Sequence, residues 1–144
     1  MQQMVIITGA GGQLGRELLR TAPAEWDCLG APRADLDIGE ELEVRAFISR
    51  TAPALVINAA AYTAVDKAES EPEQARRINA DGAGFLAAAC RDSGVRLIHV
   101  STDFVFDGRS STPYAPGSPT APLGEYGRSK LAGEQAIQAA SSSA

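Results

Sequence analysis

The sequence predicts an α/β fold built on a doubly wound parallel sheet, and three observations carry that expectation. Short apolar runs of the buried-strand type recur along the 144 residues, at Met4–Thr8, Trp26–Leu29, Leu55–Asn58 and Leu97–Ser101. Stretches with helical apolar spacing fall between them. The first strand runs directly into a glycine turn and then into a further helical stretch. Strands and helices that alternate in this way require right-handed crossovers, and right-handed crossovers give a parallel sheet.

The first unit is VIITGAGGQLGRELL, in which Val5–Ile7 lead into Gly9, Gly12 and Gly15, followed by Leu14, Leu18 and Leu19 at helical spacing. Glycines at such a turn allow the close approach of a diphosphate, whose charge is stabilised by the free amides and dipole of the helix N-terminus. The spacing is G-x-x-G-x-x-G, and its place after the first strand points to a nucleotide-binding sheet of the Rossmann type. After the second strand, LGAPRADLD offers Arg33 before any acid. An acid there accepts the 2'-hydroxyl of NAD, whereas an arginine favours the 2'-phosphate of NADP. Arg33 is therefore either a solvated loop charge or a preference for NADPH, with NADH as the alternative. Asp35–Ile38 is a short edge strand or a loop.

Glu41–Arg50 follows as a helix with Leu42, Ala46 and Ile48 on one side. The third strand, Leu55–Asn58, ends in Ala59, Ala60 and Ala61, which leave room for a flat group against the strand end. One helix is expected over Pro72–Arg91, opening on proline and carrying Ile78, Phe85 and Leu86. The fourth strand delivers Ser101, Thr102 and Asp103 at its carboxyl end, where an open parallel sheet places its ligand. The Pro-, Gly- and Ser-rich stretch Gly108–Gly124 is expected to be a flap over that edge.

In YGRSKLAGEQA, Tyr126 and Lys130 stand four residues apart, which stacks a phenol and an ammonium on one helix face. A neighbouring cation favours the phenolate, so the two form a proton-transfer pair in outline. A hydroxyl at Thr102 is placed to hydrogen-bond the carbonyl oxygen that Tyr126 protonates.

Composition agrees with one globular core: 44% of residues are hydrophobic and 22% charged. A net charge of -5 argues against nucleic-acid or anionic-membrane partners, which favour a basic face. No apolar stretch reaches the ~18 residues of a membrane span, and the start MQQMVIITG lacks a signal-peptide pattern, so a cytoplasmic protein is expected. Cys28 and Cys90 have no metal-ligand spacing and are expected as buried thiols in a strand and a helix. His99, inside the apolar run RLIHV, is expected to pack in the core and not to act as a base.

These segments together resemble the extended short-chain dehydrogenase/reductases, and within them the dTDP-4-dehydrorhamnose reductase family. The likeness is carried by TGAGGQLG (Thr8–Gly15), DLDI (Asp35–Ile38), NAAAYTAVDKAE (Asn58–Glu69), STDFVFDG (Ser101–Gly108) and PLGEYGRSKLAGE (Pro122–Glu134). The resemblance implies Tyr126 as general acid, Lys130 as the group holding the nicotinamide ribose, and Thr102 as a carbonyl contact. It places Gly9, Gly12, Gln13, Leu14 and Gly15 around the diphosphate and Asp37 and Ile38 beside the adenine. Ala59, Ala60, Ala61 and Tyr62 would line the path to the nicotinamide, while Val65, Asp103 and Phe104 would face the sugar. It further implies reduction of the 4-keto group of a dTDP-sugar, dTDP-4-dehydro-L-rhamnose, with NADPH or NADH, and allows Mg and a homodimer.

Two departures from the family pattern stand out. Phe104 occupies a position usually held by Tyr, removing a hydroxyl near the sugar. Gly124 and Glu125 replace the usual Asn before Tyr126, which is expected to loosen the start of the catalytic helix. Family members run to roughly twice this length, so residues 1–144 are expected to form a single NAD(P)-binding domain, truncated after the catalytic helix and lacking a substrate lobe. Such a half is expected to be inactive alone, to expose apolar sheet edge and face, and either to self-associate or to be partly disordered near Ala136–Ala144. A non-catalytic binding module of the same fold and another nucleotide-sugar reductase or epimerase remain the alternatives.

Overall fold

The computed structural model describes residues 3–141. Its centre is a four-stranded parallel sheet of β1 (Gln3–Thr8), β2 (Trp26–Ala31), β3 (Leu55–Asn58) and β4 (Arg96–His99), in the order β2-β1-β3-β4. The reversal of order at β1 and β3 leaves a crevice beyond their carboxyl ends, the usual ligand position of an open α/β sheet. Thr8, Asn58 and His99 are register partners across β1, β3 and β4, so three polar side chains finish three apolar strands at one level.

Successive strand residues point to opposite faces, and each face has its own cover. Helix α1 (Gln13–Arg20) lies on one side, where Leu18 faces Val5, Ile7 and Cys28. On the other side α2 (Glu41–Thr51) and α5 (Ala83–Asp92) press Val44, Phe47, Ile48 and Leu86 onto Ile6 and Val56. Ile6, Ile48, Val44, Val56 and Leu86 are completely buried. Each such side chain contributes ~1.5–3 kcal/mol relative to exposure, so this face holds the domain together. Cys90 joins it, its thiol pushed up to about 11 by burial, while Cys28 is half-buried in β2. Ile98 on β4 and Val100 just after it remain exposed, in line with the expected uncovered apolar sheet surface.

Of the two forms expected for Asp35–Ile38, the structure has the loop, held in place by burial of Leu36 and Ile38. Other elements depart from the sequence expectation. The single helix expected over Pro72–Arg91 is divided into α4 (Pro72–Arg76), a π-helical turn at Arg77–Gly82, and α5. A wide turn of this kind is a common functional device within helices, and this one turns the buried Asn79 towards Tyr62 and Ser129. The short helix α3 (Val65–Ala68) and a 3-10 turn at Asp103–Val105 had no sequence signal. The last helix, α6 (Glu125–Ser141), is continuous over 136–141, where self-association or partial disorder was expected; residues 142–144 lie outside the described residues. Among the described residues, no helix is long and apolar enough to cross a membrane.

Candidate functional site

A cavity of about 690 Å³ opens along the carboxyl ends of the strands. At one end it meets the glycine turn through Gly9, Gly12, Gln13 and Leu14, and the segment after β2 through Arg33, Asp37 and Ile38. Ala59, Ala60, Ala61 and Tyr62 form its middle, and Tyr126 and Lys130 close the far end. A long, continuous cleft with a glycine turn at one end and a Tyr/Lys pair at the other fits an extended ligand.

The glycine turn is built by close packing. Gly9 has φ +65°, and a Cβ there would stand 2.6 Å from the Ala60 backbone. The β1 and β3 exits therefore touch, and any side chain at residue 9 would separate them. Asn58 fixes the same junction: its Oδ1 accepts from Thr8 Oγ1 at 2.6 Å and from the Ala60 N–H at 3.1 Å. Gly15 does not reach the cavity. Its missing Cβ lets α1 close on the turn, where a side chain would meet Ala10 Cα at 2.7 Å, so its expected place at the diphosphate becomes a helix-to-turn packing role.

Beyond β2, Asp37 is held by several groups. Its Oδ1 accepts the Gly39 N–H at 2.9 Å, and its Oδ2 takes Arg77 at 3.0 Å and Arg33 at 3.6 Å. Burial opposes the Asp37 carboxylate, but the hydrogen bonds from Arg77 and Gly39 outweigh it and leave its pKa below the ordinary value. Arg77 also pairs with Glu40 at 2.6 Å. Arg33 remains largely exposed and faces the cavity mouth.

At the far end Lys130 is only 2% exposed. Its ammonium donates to the Val100 carbonyl at 2.6 Å. Burial pushes its pKa down to about 8, with Glu134 acting in the opposite direction. His99 is neutral at physiological pH, driven to about 4 by burial and by the Lys130 charge. The Asn58 amide nitrogen is 3.0 Å from His99 Nδ1 and can only donate, so Nδ1 accepts and the ring proton is on Nε2. His99 is thus a strand-packing residue, as its apolar context suggested.

Thr102, Val65, Asp103 and Phe104 do not line the cavity. Thr102 Oγ1 accepts the Phe104 N–H at 3.2 Å and caps the 3-10 turn. Phe104 meets the Tyr126 ring edge-to-face, with centroids 5.5 Å apart. Phe104 and Val65 are exposed, so the side expected to face the sugar is open. Tyr62 turns its hydroxyl to Glu71 at 2.7 Å.

Several residues of the site escaped the sequence reading. Asn79 accepts the Tyr62 N–H at 2.8 Å and donates to Tyr62 O and Ser129 Oγ, both at 3.0 Å, tying the β3 exit to α6 one residue before Lys130. Its one signal was an amide of low helix propensity on the apolar side of a helix. Ser101 and Glu69 lay within segments already singled out, yet the partners they meet, Glu134 and Glu125, are 33 and 56 residues away in sequence.

A model of the RmlD substrate binding domain family matches residues 3–144. The chain belongs to this family. Similar proteins include the dTDP-4-dehydrorhamnose reductase of Mycolicibacterium smegmatis, 49% identical over 142 residues, covering 97% of this chain and 43% of the relative. The dTDP-4-keto-6-deoxy-D-glucose reductase of Streptomyces niveus is 45% identical over 133 residues, covering 92% and 46%. Among solved structures, dTDP-4-dehydrorhamnose reductase from Bacillus anthracis in complex with NADP superposes with a TM-score of 0.94 at 40% identity, covering 96% of this chain and 50% of that one. The chain spans about half the length of the curated relatives it matches.

This member of the RmlD substrate binding domain family therefore has a Rossmann-type α/β fold, and the shape of its cleft fits a nicotinamide dinucleotide: the turn at Gly9 and Gly12 carries no Cβ at its cavity edge, and the alanines after β3 leave a flat slot. Mg finds no comparable support. Among the described residues, no group of three or more His, Cys, Asp or Glu is arranged to hold a metal ion.

Proposed function

We propose that this chain is the cofactor-binding part of an NADPH-dependent reductase that converts the 4-keto group of dTDP-4-dehydro-L-rhamnose to the alcohol of dTDP-L-rhamnose, in the cytoplasm. The observation that carries the reading is the buried Lys130 ammonium beside Tyr126, at the end of a cleft whose other end is the glycine turn. Bound in that cleft, the nicotinamide supplies the hydride. Tyr126 donates the proton that the carbonyl oxygen gains as hydride reaches its carbon, so ketone, hydride and proton balance to the alcohol. Lys130, fixed by Val100, presents a positive charge to the ribose and to the phenol. Thr102 Oγ1 accepts the Phe104 N–H and keeps its own O–H as the donor for the sugar oxygen, at present turned to Asp103 Oδ1 at 3.4 Å. Gly9, Gly12, Gln13 and Leu14 hold the diphosphate, while Asp37 and Ile38 flank the adenine. Val65, Asp103 and Phe104, exposed at the surface, form one open wall for the sugar, and the protein acts as a homodimer.

Arg33 supports NADPH over NADH, because its guanidinium stands at the cavity mouth with only a 3.6 Å contact to Asp37. Calorimetric titration of the chain with NADPH and NADH tests the reading. Binding of NADPH is expected, with Arg33→Ala reducing its advantage over NADH by about tenfold, the scale of one charge-assisted contact. A folded chain that binds neither dinucleotide at millimolar concentration would overturn the proposal.

A further inference from the structure

A buried ammonium needs a counter-charge, since lysine is almost never fully buried unless paired. Lys130 has one hydrogen bond, to the neutral Val100 carbonyl, which stabilises it without cancelling its charge. Glu134 lies one helical turn further along the same face of α6, and its carboxylate accepts a short hydrogen bond from the Ser101 hydroxyl. Val100 and Ser101 are consecutive residues at the exit of β4. One strand exit therefore receives the lysine head through a main-chain oxygen and, on the next residue, fixes the glutamate through a side-chain hydroxyl.

We propose that Glu134, anchored by Ser101, is the counter-charge that keeps Lys130 protonated in its buried seat, and is thus a positioning residue for the Tyr126/Lys130 pair. Glu134 does not line the cavity, so it acts through Lys130 and not on substrate or cofactor. The titratable groups facing Lys130 are His99 from β4, and Tyr126 and Glu134 from its own helix. His99 is held neutral by burial and by Lys130 itself, and supplies no negative charge. The π-helical turn packed against α6 offers the uncharged Asn79, bonded to Ser129. Among the described residues, Glu134 is the charge that acts on Lys130, and it acts in the direction the proposal requires.

The inference deepens the proposed reductase site, but its test needs neither cofactor nor sugar. The chain has two lysines, and the other, Lys67, pairs with Glu71 at the surface and serves as an internal control. Lysine side-chain resonances followed by NMR across pH 6–11 report both titrations in the 144-residue chain. Glu134→Gln is expected to lower the Lys130 midpoint by about one pH unit, the low end of the effect of an opposite charge within ~4–6 Å, and to leave Lys67 unmoved. Ser101→Ala keeps the carboxylate but frees it, and is expected to give a smaller fall in the same direction. Glu134→Asp should restore part of the shift. An unchanged Lys130 midpoint in a folded Glu134→Gln chain overturns the proposal. If that variant does not fold, Ser101→Ala decides: an unchanged or raised midpoint overturns the proposal, and a lowered one supports it.

Discussion

The Glu69 carboxylate accepts the main-chain N–H of Glu125 at 2.7 Å, so a residue from the segment after β3 caps the helix that carries Tyr126 and Lys130. Gly124 is part of this contact, because a Cβ there would stand 2.7 Å from the same carboxylate oxygen. The Gly124/Glu125 pair, expected to loosen the start of α6, instead makes room for its cap. A helix N-terminus satisfied by a carboxylate gains both a hydrogen bond and a favourable dipole interaction.

Glu69→Ala should therefore lower stability by ~0.5–2 kcal/mol, the range for loss of a helix N-cap. Gly124→Ala should do likewise by pushing the carboxylate away. Urea unfolding checks both, and a double variant no less stable than either single one is expected if the two act through one contact.

Asn79 yields a second prediction. It is 1% exposed, and its amide makes three hydrogen bonds that join the β3 exit to α6. Asn79→Ala leaves the Tyr62 N–H and C=O without this partner, at a cost of about 1–3 kcal/mol for a buried group left unsatisfied, while Ser129 keeps its bond to the Tyr126 carbonyl. Dinucleotide affinity should fall together with stability, since Tyr62 lines the cleft. Denaturant unfolding and calorimetry on the same sample measure the two losses.

The periodic parts of the chain were legible because burial writes them into the sequence. Leu55–Asn58 is observed with the bounds expected, and β1 and β2 differ only by one or two residues at their ends. The cleft ends were legible too, since glycines at a strand exit and a Tyr/Lys pair at helical spacing each have a local physical meaning. What the sequence hid was long-range. Glu69, in the segment after β3, meets the Glu125 N–H 56 residues away, a pairing that no local pattern reveals. The π-helical turn at Arg77–Gly82 has no local signature either; its observed consequence is the set of bonds Asn79 makes to distant partners.

Stability should depend on pH in two windows. His99 titrates near about 4 in the fold against an ordinary 6.5, so between these values the unfolded chain holds more protons and stability falls as pH drops through the window. Lys130, at about 8 against 10.5, also leaves the unfolded chain with more protons between those values, so its contribution makes stability rise with pH there. Each slope is at most ~1.4 kcal/mol per pH unit. Urea unfolding from pH 4.5 to 7 should show the acid-side slope in the wild type and its loss in His99→Gln. Dinucleotide binding should weaken above about pH 8 as the Lys130 ammonium is lost, although the fold does not.

The chemistry separates the two residues at the end of the cleft. Tyr126 is half-buried at the cavity wall with Phe104 edge-on to its ring, so Tyr126→Phe removes one hydroxyl and leaves the packing intact. In a form of the protein that turns over the keto sugar, this change should lower the rate by ~10²–10⁴-fold, the contribution of a general acid, with dinucleotide affinity nearly unchanged. Lys130→Ala is different in kind. It removes a buried charge that Val100 holds toward the cleft, and it leaves an empty space where a long side chain was packed, so affinity and rate should both fall. Steady-state kinetics with calorimetry on each variant distinguishes the roles, and a Tyr126→Phe protein with wild-type turnover would remove Tyr126 from proton transfer while leaving the cleft as a binding site.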